Sequence, residues 1–171
     1  MINFASKLIV MDNNAEKEKE ELIELFGIHF EKFHMLPPLA ARILATLILN
    51  SREKDLSFED LVTITAASKS SVSTNINLLL KLGKIDYYTV CGGRKKFFKP
   101  ANLADRIKNH LVFIKSEQNI IKRISNYEEK YNKKPLTLLE AKSLDIYREY
   151  VNNFEVLLQD SIRKIEEIET Q

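Results

Sequence analysis

SKSSVSTNINLLLKLGKIDYYTVCGGRKKFFKP, residues 68 to 100, reads as a polar-faced helix, a glycine stop and then a basic β-hairpin. At 100° per residue, Val72, Ile76, Leu79 and Leu80 gather on one side of the helix. Ser70, Thr74, Asn77 and Lys81 point the opposite way, and Ser73 flanks them. Ser68 is an N-cap, and Gly83 after Leu82 is a helix stop. Lys84 to Val90 then alternates and is rich in aromatic and β-branched residues. Cys91-Gly92-Gly93-Arg94 is expected as the turn, with Gly-Gly supplying positive φ, and Lys95 to Lys99 as the short return strand that Pro100 stops. That order matches a helix that reads DNA, followed by a wing.

Charge supports the same reading. Between Lys69 and Lys99 there are seven cationic residues and a single acid, Asp86, a local charge of +6 in a chain whose net charge is only +2. The rest of the chain is therefore acidic, and the positive field is confined to one segment, as a polyanion-binding patch requires. A surface helix that only needs solvation carries Glu and Lys in i, i+4 pairs. From Ser68 to Leu82 there is no acid at all. Lys69, Ser70, Ser71, Ser73, Thr74, Asn77 and Lys81 on the helix, with Arg94, Lys95 and Lys96 on the hairpin, are the candidate DNA-binding residues. Short hydroxyls and an amide suit base edges or phosphate oxygens, lysines suit phosphate, and an arginine suits the negative potential of the minor groove. Tyr87, Tyr88, Phe97 and Phe98 alternate faces and are expected to be structural.

Upstream, Ser57-Phe58-Glu59-Asp60 resembles a capping signature, so a short helix is expected from Phe58 to about Thr65, with Ala66 and Ala67 as a tight link to Ser68. Two helices joined by about three residues form a helix-turn-helix. Ala40, Ile43, Leu44, Leu47 and Ile48 follow the helical template before it, opened by Pro37 and Pro38. From about Asn14 the chain is again helical, with Leu22, Leu25, Phe26, Phe30 and Phe33 on one face. Residues 1 to 13 are apolar without a clear period and stay undecided among a tail, a strand and an arm. Beyond Pro100 the chain is helical in two pieces broken near Asn132 to Pro135. Ile107, Ile114, Ile121 and Ile124 mark one seam. Leu144, Val151, Leu158 and Ile165, with Tyr147, Phe154 and Ile168, mark a coiled-coil register interrupted at Ser161. That seam is suited to a partner subunit or to the preceding helix.

Composition closes off other classes. The 171 residues contain 44% hydrophobic and 29% charged residues with only four Gly and four Pro, which favours long helices around a real core. A lone Cys91 forms no internal disulfide, and no apolar run reaches membrane length, so a cytoplasmic protein is expected. Beside Arg94, Cys91 is also a weak candidate for a redox switch, without a resolving partner. His29 sits on the apolar stripe as a core or interface residue. His29 and His34 are five apart and do not make an i, i+4 metal pair, and His110 has no ligating neighbours. No phosphate loop, dinucleotide fingerprint or nucleophile elbow is present, so neither an enzyme nor a bound cofactor or metal is expected.

The segment SKSSVSTNINLLLKLGKI, the pair Tyr87-Tyr88, and Gly92-Gly93-Arg94-Lys95-Lys96-Phe97-Phe98 resemble the winged helix-turn-helix of MarR-type bacterial transcription regulators, in their GbsR-like branch. Leu36-Pro37-Pro38-Leu39-Ala40-Ala41-Arg42-Ile43-Leu44 is similar to that branch as well, so the likeness runs from about Leu22 to Pro100 and more loosely through the helical tail. Ala66 departs from it, since many relatives carry Gly there. The resemblance implies a mainly α fold with a small β-hairpin wing and long terminal dimerisation helices. It divides the chain into an arm and helix at 1–35, a DNA-binding domain at 36–100 and a helical dimerisation region at 101–171. It also implies a homodimer on double-stranded DNA, with the recognition helix at 69–82 and the wing at 84–99. A small-molecule effector is allowed, although no matching ligand residues stand in this sequence. The alternative is a winged-helix protein-interaction module that uses its coiled-coil helices.

Overall fold

The computed structural model describes residues 4–131 and 134–169, with side chains from residue 14 onward. The chain forms α1 (Phe4–His34), α2 (Pro38–Asn50), β1 (Leu56–Ser57), α3 (Phe58–Thr65), α4 (Lys69–Lys81), β2 (Ile85–Thr89), β3 (Lys96–Pro100), α5 (Leu103–Tyr131) and α6 (Leu138–Glu169). The helical predominance and the hairpin agree with expectation. Two compact units divide at Ala101.

In the first unit, α2 is the central element. Ala40, Ala41, Ile43, Leu44 and Leu47 are buried in one core with Leu61 of α3, Val72, Ile76 and Leu79 of α4, and Ile85 and Phe98 of the sheet. Pro37, with extended backbone, and Pro38 at the first helical position launch α2 at the expected place. α1 begins at Phe4, ten residues before the helical pattern becomes readable, and so takes in most of the undecided amino-terminal segment. Met1 to Asn3 lie outside the described residues.

The buried face of α1 differs from the expected one. Ile23, Phe26 and Phe30 pack on the core, whereas Leu25 and Phe33, each 64% exposed, and His29 face outward. The helices α1 and α2 meet at Gly27 and Arg42. A Cβ at Gly27 would lie 3.2 Å from Arg42 Cγ, so the helices approach closely along this line. Arg42 donates to Glu24 (Nη2–Oε2, 2.8 Å), to Glu31 and to the Pro38 carbonyl. An ion-pair network between α1 and α2 thus lines their close approach, on the helix face next to the buried Phe30.

The sheet has three antiparallel strands in the order β1-β3-β2, one more than the expected hairpin. β1 pairs Leu56 with Phe98 and Ser57 with Phe97. Two residues are too few to show alternation, and that hid the strand. Pro100 is the last residue of β3, opposite Ile85, rather than a stop beyond it. The end of the middle strand tolerates it because Pro100 lies beyond the two residues paired with β1, and the ladder to β2 continues past it through the Ala101 N–H to the Lys84 carbonyl at 3.0 Å.

Ser57 both ends β1 and caps α3. Its hydroxyl accepts from the Asp60 N–H, while Asp60 Oδ2 accepts from the Ser57 N–H at 2.9 Å and from its hydroxyl at 2.6 Å. Asp60 thus closes the capping box in both directions at a fully buried Ser57. The Ser57 hydroxyl first, and its backbone N–H second, hold the Asp60 carboxyl down at about 2. A carboxylate with a lowered folded pKa contributes stability above its unfolded pKa near 4 and loses it as pH falls toward 2. Chemical denaturation at pH 6 and pH 2.5 should show the wild type losing about 1 to 2 kcal/mol more than Asp60→Asn over this interval. Equal losses would show that the box contributes nothing to acid stability.

Ala66 occupies the left-handed region (φ 50°, ψ 24°) at the end of α3, the conformation for which glycine is the low-strain residue.

The second unit is an antiparallel helical hairpin. Asn102 caps α5 through the Asp105 N–H, and Thr137 with Glu140 forms a capping box on α6. Asn132 and Lys133, the start of the expected break, lie outside the described residues. Ile107, Leu111, Ile114 and Ile121 of α5 pack on Val151, Phe154 and Leu158 of α6. Leu144 and Ile165 are half-buried on the same register. The middle of the α6 heptad seam is thus occupied by the chain's own α5, with cross-links from Lys108 to Glu166 and from Gln118 to Glu155 bordering it, whereas Tyr147 and Ile168 of the expected register stay exposed. Ile124, expected in the seam, is 51% exposed, and Ile162 takes a buried place that the heptad rule did not assign.

Candidate nucleic-acid interface

Helix α4 is held by its apolar side and open on the other. Val72, Ile76 and Leu79 are buried and Leu78 and Leu80 half-buried, while Lys69, Ser70, Ser71, Ser73, Thr74, Asn77 and Lys81 are all exposed. Its start is fixed by the Ser68 hydroxyl, which accepts from the Ser71 N–H at 3.2 Å. Its end is a Schellman motif: Gly83 N–H to the Leu80 carbonyl at 3.0 Å, and Lys84 N–H to the Leu79 carbonyl at 2.9 Å, with Gly83 at φ 60°. That turn feeds directly into β2, so the polar helix face and the wing are joined by three residues.

The polar groups on this face are not equivalent. Ser68, Ser70 and Ser71 share hydroxyl contacts of 2.9 to 3.0 Å around the first turn, where the N–H groups also favour an anion. Thr74 donates back to the Ser70 carbonyl at 3.0 Å, leaving its oxygen lone pairs outward. Asn75, which the helical period does not single out, donates to the Ser71 carbonyl at 2.8 Å and is half-buried. Ser73 and Asn77 bond to no side chain or backbone group among the described residues, so their full donor and acceptor capacity faces solvent.

The wing loop is wider than the expected turn, running from Val90 to Lys95, because β2 ends at Thr89 and β3 opens only at Lys96. The Gly93 N–H reaches the Val90 carbonyl at 2.9 Å, and only Gly92 (φ 80°) needs the glycine region. Arg94 and Lys95 lie in the loop, and Lys96 opens β3. Lys96 Nζ stands 4.1 Å from the Tyr87 ring centroid and Lys95 Nζ 5.7 Å from that of Phe97, so aromatic faces order both ammonium groups. The single acid of the segment, Asp86, faces Lys99 across the ladder at the base, away from the cationic tip. Among the described residues, Lys69, Lys81, Arg94, Lys95 and Lys96 form no ion pair with any acid. Cys91 is exposed, and no cluster of metal-ligating side chains occurs among the described residues. His29 lies among the rings of Phe30, Phe33 and His34. No helix among the described residues is long and apolar enough to cross a membrane.

No family model matches the chain. It is 36% identical over 85 residues to the HTH-type transcriptional regulator MmpR5 of Mycobacterium tuberculosis (strain ATCC 25618 / H37Rv), a stretch covering 50% of each protein. The chain thus spans about half the length of the curated relative it matches. A solved transcriptional regulator superposes with a TM-score of 0.65 at 23% identity over 88% of this chain and 99% of its own. A MarR/EmrR family transcriptional regulator from Acinetobacter sp. ADP1 aligns more loosely, with a TM-score of 0.38 and 16% identity over 89% of this chain and 96% of its own. The fold is a winged helix-turn-helix with long helices, and these relatives are described as transcriptional regulators rather than as enzymes.

Proposed function

We propose that this chain is a sequence-specific DNA-binding transcriptional regulator of the MarR type, in its GbsR-like branch, and that it works as a homodimer. The observation that carries this reading is the continuous exposed, acid-free face of α4 running into a cationic wing whose lysines are ordered by aromatic rings. Residues 36–100 form the DNA-binding domain in this reading, and 1–35 with 101–171 form the dimerisation region. Since α5 occupies the middle of the α6 seam, pairing falls to other apolar side chains that stay exposed, among them Phe113 and Ile120 of α5 and Leu157 of α6.

Recognition helix 69–82 enters the major groove, and two copies read half-sites about 10 base pairs apart. Lys69, Lys81, Lys95 and Lys96 neutralise phosphate. Ser70, Ser71, Ser73, Thr74 and Asn77 address bases or the adjoining backbone, and Arg94 of the 84–99 wing reaches the minor groove. Asn77, with both amide groups open, is the strongest base reader of the set.

Selection of binding sites from random duplex DNA by the purified protein tests the proposal. A nearly palindromic site should emerge with that spacing. Asn77→Ala should relax preference at one position by about 1 to 3 kcal/mol while leaving affinity for random DNA unchanged. Equal losses on both DNAs would remove Asn77 from base reading, and no enrichment at low salt would overturn the functional reading as a whole.

A further inference from the structure

β1 is only two residues long, yet it holds the inner edge of the strand that presents Lys96. On one line across the sheet, Ser57 pairs with Phe97 and Phe97 with Tyr88. Tyr88 spans this line: its ring stacks on Phe97 (centroids 5.7 Å apart, planes at 25°), and its hydroxyl donates to Asp55 Oδ2 at 2.8 Å, just before β1. One side chain therefore bridges the outer strand, the middle strand and the approach to the edge strand. Asp55 is half-buried, and Tyr88 is one residue from the last ladder pair, Thr89 with Lys96. Beyond that pair the tip has a single turn hydrogen bond, Gly93 to Val90.

We infer that Asp55, acting through the Tyr88 hydroxyl, is a positioning residue that straps the wing to the α2–α3 connection and sets where Arg94, Lys95 and Lys96 meet DNA. The inference rests on the proposed DNA-binding function. It makes the hydrogen-bond acceptor of an acidic side chain support the binding of a polyanion, which is opposite to the effect its charge alone would have. A carboxylate near a DNA-facing wing repels phosphate, so its removal by itself strengthens binding. Loss of the strap lets the cations sample positions off the backbone and weakens it.

The sign of the change therefore separates the two effects. The full-length protein is titrated against a fluorescein-labelled random-sequence 30-base-pair duplex at 100 mM salt. Asp55→Ala and Tyr88→Phe should each weaken binding by roughly 5- to 10-fold, and the double variant should be no weaker than either single one. Asp55→Asn keeps an acceptor for the tyrosine hydroxyl and should restore most of the affinity. Tighter binding by Asp55→Ala, or independent multiplication of the two losses, overturns the strap. In parallel, hydrogen exchange at the backbone amides of positions 88 and 97, the hydrogen-bonded pair of the ladder nearest the tip, should accelerate in Asp55→Ala and Tyr88→Phe. If the wild type bound no DNA, the functional reading would fall while this exchange still decided the strap, with unchanged exchange overturning it.

Discussion

Replacing Arg94, Lys95 and Lys96 together by alanine should lower affinity for duplex DNA by at least roughly 100-fold at 100 mM salt and flatten its salt dependence. A cation seated on B-DNA releases close to one counterion per phosphate, and the logarithm of the affinity falls against the logarithm of salt with a slope of about −0.9 per phosphate neutralised. Without the two phosphate-bound lysines, the slope should be shallower by about 1.8 per subunit engaged, and loss of Arg94 from the minor groove adds to the fall in affinity. The structure makes this larger than for three arbitrary surface lysines. Lys95 and Lys96 lie over Phe97 and Tyr87, contacts worth about 0.5 to 1 kcal/mol each at exposed sites, so part of their side-chain freedom is already lost before binding. Fluorescence anisotropy between 50 and 300 mM salt reads both quantities. An unchanged slope would place the wing away from the backbone.

Leu79→Ala should destabilise the first unit by about 3 kcal/mol, lowering its melting temperature by on the order of 10 °C. Leu79 has no exposed surface and packs in the core with the α2, α3 and sheet residues. Its carbonyl also accepts the Lys84 N–H that turns the chain from α4 into the wing. The missing side chain leaves a cavity beneath the recognition face that the surrounding helices fill only partly. Asn77→Ala, two residues away on the outer face, should change stability by no more than about 0.5 kcal/mol. Thermal melts of the two variants separate the holding face of α4 from its reading face. Similar losses for both would contradict the assignment of faces.

Much of the first unit was legible because its periods are strong. The α2 template buries Ala40, Ile43, Leu44 and Leu47 and half-buries Ile48, and the inward set of α4 buries Val72, Ile76 and Leu79 and half-buries Leu80. The Ser57, Ser68 and Gly83 signals mark their helix ends to the residue. The candidate site was legible for the same reason: a helix with one apolar side must expose the other, and here that other side carries hydroxyls, one amide and lysines.

What escaped depends on partners distant in the chain. The face that α1 buries depends on its packing against α2, whose Arg42 pairs with Glu24, 18 residues earlier, and periodicity weighed Leu25 and Phe33 equally with Phe26 and Phe30. β1 exists only because β3 lies beside it, about 40 residues further along the chain. Likewise, no local pattern joins Asp55 to Tyr88, 33 positions apart.

Residue order alone thus settled the features whose signals are local: which segments from about Asn14 onward are helices, where most of them cap, which face of α4 stays polar and where the cations gather. Three others waited for the folded chain: the apolar face that α1 buries, the filling of the middle α6 heptads by α5, and the third strand and tyrosine strap that hold the wing. Capping and amphipathicity act within a few residues, so a short window of sequence contains them. Burial and side-chain hydrogen bonds between distant segments arise only once folding has brought those segments together.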